Sequence, residues 1–130
     1  MVVDTSALVA ILLLEQDAST YAEAIAGAES AVMSAASYVE LTIIAISRGA
    51  RGRAELEATL TDALIEIVPV TIDQAHIAAD AYERYGRGRH PAALNFGDCF
   101  AYALAKSRNE PLLFKGADFG LTDVVRAQRS

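Results

Sequence analysis

Three carboxylates sit where a soluble chain has little use for charge. Asp4 ends the apolar run MVVD, and Glu40 lies among Val39, Leu41, Ile43 and Ile44 in SYVELTIIAI. Asp98 is the lone charged residue of LNFGDCFAYALA. A fourth acid, Asp118, follows the apolar LLF in GADFG. Burying an unpaired carboxylate costs on the order of several kcal/mol, so each needs a partner or a role. Each also has a plainer reading. Asp4 can cap the next helix, and Glu40 can snorkel outward on its long side chain. Asp98 suits a helix N-terminus, and Asp118 suits a turn.

Taken together, the four point to one chemistry. Two unit charges 4 Å apart repel by about 4 kcal/mol at an effective dielectric near 20. A converging set therefore persists only by protonation or by holding cations. With oxygen ligands alone and no histidine in the pattern, hard Mg²⁺ or Mn²⁺ is favoured over zinc. Such a site suits phosphodiester hydrolysis, because the ion lowers the pKa of water and offsets charge building on phosphate.

The elements that must position these acids alternate along the chain. VVDTSALVAILLLEQ reads as a strand, a turn and a helix capped by Asp4, Thr5 or Ser6. ASTYAEAIAGA is a helix closing at Gly27, SAVMS a strand, and AASYVELTIIAISRG a helix stopping near Gly49. RAELEATLTDAL makes a helix with Leu56, Leu60, Ala63 and Leu64 as its inward stripe. IEIVPVT is a strand, followed by a helix with Asp73 as N-cap. RGRHPAALN is a loop punctuated by Gly88 and Pro91. Asn95 can cap the helix that contains Asp98. Pro111 precedes the strand LLF, KGADFGLTD is a polar turn, and Val124–Val125 can form a last short strand. Short apolar strands alternating with helices predict an α/β sandwich around a parallel sheet. In such folds the functional crevice lies at the carboxyl ends of the strands, where Asp4 and Asp118 fall.

The bulk numbers agree with one domain spanning residues 1–130, and 53% hydrophobic residues supply ample core. The apolar run Ala7 to Leu14 is too short to cross a membrane and lacks the basic flank of a signal peptide. A single cysteine, Cys99, excludes an internal disulfide and a multi-cysteine zinc site, so the expected compartment is the cytoplasm. The net charge of −6 argues against a nucleic-acid partner at first sight. Two local clusters soften that: Arg48, Arg51 and Arg53, and Arg84, Arg87, Arg89 and His90. Local arginines can hold a phosphate chain weakly and with salt sensitivity, although solvated surface explains both clusters equally well.

The blocks VVDTSALVAIL, SYVE, LNFGDCFAYALAK and PLLFKGADFGLTD resemble, in order and separation, a PIN-domain ribonuclease, and more narrowly the VapC toxins of bacterial toxin–antitoxin pairs. Together the blocks cover nearly the whole chain, and the last two are long and specific. The resemblance implies a three-layer sandwich with a central, mostly parallel sheet. It also implies Mg²⁺- or Mn²⁺-dependent endoribonuclease activity, on structured RNAs such as tRNA or ribosomal RNA. A VapB-type antitoxin and homodimerisation are implied as well, with no membrane association. Carried across, Asp4, Glu40 and Asp98 match the family's metal-binding acids, with Asp4 and Asp98 as direct ligands. Asp118 is the choice for the fourth. Many relatives carry a Thr/Ser-x-Asp pattern after the strand, where this chain has Phe114, Lys115 and Gly116. Asp118 can therefore act through water, with Thr122 or Asp123 sharing its role. Thr5 and Ser6 are candidates to support the carboxylates, and Lys115, Arg87, Arg89 and His90 to hold RNA phosphates.

The remaining reactive residues have ordinary readings. Cys99 is a small core residue with no base placed for it, and His76 is a packed helix residue. Tyr82 and Tyr85 can stack on bases or pack in the core. Helix faces around Tyr21, Leu56 and Leu60 are candidates for the antitoxin or for the core. Two other functions fit the acids less well. A phosphatase with Asp4 as nucleophile wants a second acid at position 6, which is Ser. A binding module would use the acids only to hold a structural ion.

Overall fold

A computed structural model describes residues 1–48 and 52–127. Its described residues form four strands, six α-helices and a short 3₁₀ turn. The order is β1 (Val2–Val3), α1 (Thr5–Leu12), α2 (Ala18–Ala26), β2 (Ala31–Ser34), α3 (Ala35–Ile46), α4 (Gly52–Asp62) and β3 (Ile65–Val68). Then come α5 (Ile72–Tyr85), α6 (Phe96–Arg108), β4 (Leu112–Leu113) and the 3₁₀ turn Phe119–Leu121. All three strand pairs are parallel, in the order β3-β2-β1-β4. Val2 is in register with Val32 on one side and Leu112 on the other.

The period-two alternation of the strands divides the core into two layers. Val2, Val32 and Leu112 pack with Ala78, Tyr85, Tyr102 and Leu104 of α5 and α6. Val3, Met33 and Leu113 pack with Leu8, Ile25, Leu41 and Leu56 of α1 to α4. Val2, Val3, Leu112 and Leu113 have no exposed surface, which is why a two-residue strand suffices at the sheet centre. Burying each such side chain contributes about 1.5–3 kcal/mol. This is the three-layer α/β sandwich read from the sequence, with its sheet parallel throughout.

The chain winds from β1 to β2 to β3 in one direction and then returns to place β4 on the far side of β1. The carboxyl ends of β1 and β4 therefore flank the point where the winding reverses, the usual crevice of an open parallel sheet. Asp4 leaves β1 there. The β4 exit leads to Asp118, and α6 starts with Asp98 in its first turn.

Several local expectations are corrected. Thr71, not Asp73, caps α5: its extended backbone lets the hydroxyl accept from the Gln74 N–H, and Asp73 lies in the first turn. Leu64 is not inward: it ends α4 with φ +57° and is 84% exposed, while Leu56 and Leu60 are buried. Val124–Val125 form no strand. Pairing is reduced to one bridge between Leu112 and Arg126, held by the bonds Leu112 N to Val125 O and Ala127 N to Leu112 O. His76 is exposed rather than packed, and Tyr21, Leu56 and Leu60 are buried, so they offer no docking face. The helix expected to stop near Gly49 ends at Ile46, with Ser47 as its C-cap; Gly49 itself, and Arg51 of the first basic cluster, lie outside the described residues. Among the described residues no helix is long and apolar enough to cross a membrane.

Candidate active site

Asp4 is the N-cap of α1, in extended conformation, so the plain reading of this residue holds. Its Oδ2 accepts from the Ser6 N–H at 3.0 Å and from the Ser6 hydroxyl at 2.6 Å. Ser6 Oγ in turn accepts from the Lys115 N–H at 2.9 Å, tying the exit of β4 to the start of α1. Asp4 is only 4% exposed, and its carboxyl is pushed up to about 6. Burial is the main cause; the Ser6 bonds oppose it, and the charges of Asp98 and Glu40 add to it.

Asp98 closes a capping box at the start of α6. The Asn95 side chain accepts from the Asp98 N–H at 2.9 Å, and Asp98 Oδ2 accepts from the Asn95 N–H at 3.0 Å. Its carboxyl is raised chiefly by burial and further by Glu40 and Asp118, while Asn95 and Arg87 lower it. The bonds to Asp4 and to Asp98 both fall on Oδ2, leaving Oδ1 of each for another partner.

Glu40 enters from α3 and lies against the first turn of α6 at Gly97. A Cβ on Gly97 would run into Glu40 Oε2, with the Glu40 carboxyl carbon 2.8 Å away. Gly97 was missed by the sequence reading, although a glycine inside the first turn of a strongly helical run was a visible signal. One turn before Glu40, the Ser37 hydroxyl is buried without a hydrogen-bond partner, the sole such side-chain atom among the described residues. An unpaired buried hydroxyl costs about 1–3 kcal/mol, so this one marks a place for a further polar group or water.

The acids thus form one electrostatic neighbourhood: Asp4 feels Asp98 and Glu40, and Asp98 feels Glu40 and Asp118. Among the described residues no three His, Cys, Asp or Glu side chains stand close enough to enclose an ion. The donor set is all oxygen and surplus in negative charge, so it fits a hard divalent cation.

The proposed supporting residues divide. Ser6 does bond a carboxylate. The Thr5 hydroxyl instead donates to the Ser37 carbonyl at 3.2 Å. Thr122 Oγ1 donates to the Phe119 carbonyl and accepts from the Val124 N–H, holding its own turn. Asp123 accepts from the Tyr102 hydroxyl at 2.6 Å and pairs with Lys106 at 3.1 Å, further along α6. Asp118, by contrast, is the acid whose charge reaches Asp98.

The cations divide likewise. Lys115 pairs with Glu15 at 2.5 Å and Asp17 at 2.9 Å, which raises its pKa and commits its ammonium to the α1–α2 loop. The imidazole Nδ1 of His90 accepts from the Ala92 N–H, and its ring stands edge-on to Tyr85 at 5.0 Å. Arg87 and Arg89 are exposed, and Arg87 is the cation that Asp98 feels. Cys99 is buried with its thiol donating to the Asn95 carbonyl, and burial pushes that thiol up to about 11. It is a neutral core thiol at ordinary pH.

The PIN domain model matches residues 1–125. A ribonuclease VapC of Mycolicibacterium smegmatis is 54% identical over 126 residues, covering 96% of this chain and 98% of the relative. Ribonuclease VapC28 of Mycobacterium tuberculosis is 51% identical over 133 residues, covering 98% and 97%. The chain belongs to the PIN-domain family, in its VapC branch. Solved structures repeat the fold of this PIN domain at low identity. Mycobacterium tuberculosis VapC20, a sarcin–ricin-loop-cleaving toxin, superposes with a TM-score of 0.79 at 18% identity, covering 98% of each chain. A chain of a toxin–antitoxin complex from Klebsiella pneumoniae gives 0.74 at 18% identity, covering 99% and 98%.

Proposed function

We propose that this VapC-type PIN domain is the toxin of a toxin–antitoxin pair and hydrolyses RNA phosphodiester bonds with Mg²⁺ or Mn²⁺. What carries the reading is that Asp4, Glu40, Asp98 and Asp118 act on one another through their charges where the sheet reverses its winding. Asp4 and Asp98 would hold the ion, each keeping one carboxylate oxygen that its helix cap does not use. Glu40, seated on Gly97, and Asp118 complete the negative field. When bound, the ion lowers the pKa of a water and offsets the charge that builds on the phosphate. Ser6 holds Asp4 in one orientation, and the capping box does the same for Asp98. Arg87 is placed to meet RNA beside the acids.

The high-identity relatives named ribonuclease VapC support RNA as substrate. Those names, and the toxin–antitoxin complex among the fold neighbours, support a VapB-type antitoxin as partner. A structured RNA such as tRNA or ribosomal RNA, a homodimer and a cytoplasmic location complete the proposal.

The test is cleavage of total RNA by purified, antitoxin-free protein, with and without Mg²⁺ or Mn²⁺, beside Asp98→Asn. Discrete fragments that need the metal and vanish in the variant are expected. Equal cleavage by both proteins would remove the assigned site. Intact RNA, with both proteins folded, would turn the reading toward a module that only holds an ion.

A further inference from the structure

Beside the acids, between α5 and α6, lies a cavity of about 510 Å³. This is the size of a small-ligand site. Three alanines of α5, Ala75, Ala78 and Ala79, keep one wall flat and open it. The facing wall is aromatic: Phe96 and Phe100 of α6 meet edge to face at 4.9 Å. Tyr82 adds a third ring from α5. Phe96 is 78% exposed and Tyr82 41%, so both rings leave substantial apolar surface uncovered. The neutral Cys99 lines the cavity as well.

None of the four acids lines the cavity, but two residues that act on Asp98 do. Asn95 and Arg87 line it, and Asn95 is the same residue whose side chain caps Asp98. Phe96 shares the first turn of α6 with Asp98 but lies two positions before it, on a different face. A cation at the mouth, flat apolar walls and open aromatic faces match one ligand chemistry: an unpaired base attached to a phosphate. Bases stack on aromatic rings whatever their sequence, and arginine takes the adjoining phosphate. A purely apolar partner would leave Arg87 without a counterpart.

We propose that this cavity is a nucleobase subsite, which stacks a base flanking the cleaved phosphodiester while Arg87 holds the neighbouring phosphate. It rests on the nuclease reading and adds to it a requirement that the RNA be single-stranded at that position. The base must leave its stack to enter, so unpaired loops are favoured over duplex.

The experiment uses the full-length Asp98→Asn protein, which retains the cavity, and a short single-stranded RNA of mixed sequence carrying one 2-aminopurine. Binding is read by anisotropy, and stacking by quenching of the 2-aminopurine. Phe96→Ala and Tyr82→Ala, added to the parent, are each expected to weaken binding roughly 5- to 150-fold and to relieve the quenching. Phe96→Trp should restore both. Ile72→Ala, which trims an exposed apolar residue of α5 not lining the cavity, should change neither. Unchanged binding in Phe96→Ala overturns the proposal. So does a Phe96→Ala protein that changes oligomeric mass while holding RNA as before, which would assign the cavity to a second copy. If wild-type protein cuts total RNA but the parent holds none of the short RNA, the subsite is wrong and the nuclease stands. If wild-type protein leaves total RNA intact and the parent binds none, the nuclease reading fails and takes the subsite with it.

Discussion

Gly97 controls where Glu40 sits. Its missing side chain is the room in which the Glu40 carboxylate lies against α6, so Gly97→Ala sets a methyl against the end of a flexible side chain. The helix itself gains, since alanine is favoured over glycine in a helix by up to about 1 kcal/mol. Gly97→Ala is therefore expected to melt no lower than wild type while losing most of its RNA cleavage, read by calorimetry beside a cleavage assay. Unchanged cleavage would show that Glu40 need not rest on this turn. Asp4 gives a second residue-scale test in metal-free protein. Its carboxyl is raised from 3.8 to about 6, so between those values the folded state binds more protons than the unfolded state. Stability should then fall as pH rises from about 4 to about 6, by up to about 3 kcal/mol from this group. Asp4→Asn, which cannot ionise, should flatten that slope in urea melts run with EDTA. A slope identical to wild type would mean that Asp4 is not the group responsible. The acids themselves were legible because a charge in an apolar run is conspicuous. Gly97 stood out as a glycine in a helical run, but its role was not legible, because that role is the absence of a side chain opposite a residue distant in sequence.

At the scale of elements, the site depends on how short pieces are tied together. β1 and β4 are two residues each, and the bond from the Lys115 N–H to Ser6 Oγ continues their alignment past the last strand residue. The same hydroxyl donates to Asp4, so one atom serves the strand end, the helix cap and the acid. Ser6→Ala is expected to cost about 1.5–3 kcal/mol in chemical denaturation, the range for a hydrogen bond to a charged group. It should also reduce cleavage, because Asp4 loses the bond that fixes its orientation. A loss of cleavage without a loss of stability would separate the two roles. The helices and the parallel sheet could be read from periodicity, and Asn95 from its place before the α6 run. The errors came where neighbouring positions compete for one job. Thr71 and Asp73 both suit a cap, and the extended backbone at Thr71 decided it. Leu64 continues the α4 stripe in sequence, but the helix has already ended in a left-handed turn that points it outward. Val124–Val125 look like a strand, yet one bridge at Arg126 is all the sheet edge takes.

Over the whole molecule, the reversal of winding at β1 and β4 gathers acids from four separate segments, while the net charge of −6 opposes any RNA that approaches. Under the proposed function, binding would then rest on an ion held by the acids and on few local cations. Lys115 is neutralised by Glu15 and Asp17. Arg84 stands over the Tyr85 ring at 4.8 Å, and Arg126 over the Phe114 ring at 4.0 Å. Near the site, Arg87 and Arg89 are the arginines without an ion pair or ring contact among the described residues. Two phosphate contacts on single-stranded RNA give a log–log salt slope of about −1.4, close to a sevenfold loss of affinity from about 50 to about 200 mM salt. A basic groove making six contacts would lose roughly 300-fold over the same range. The shallow slope is the expected result for Asp98→Asn protein titrated with short RNA, and Arg87→Ala should reduce it by about 0.7. Lys115→Ala should leave the slope unchanged, since its ammonium is already matched. A slope steeper than about −4 would mean that phosphates are held by a surface beyond these arginines, such as one assembled with a second copy. The same measurement on Arg87→Ala then decides whether that surface replaces Arg87 or adds to it.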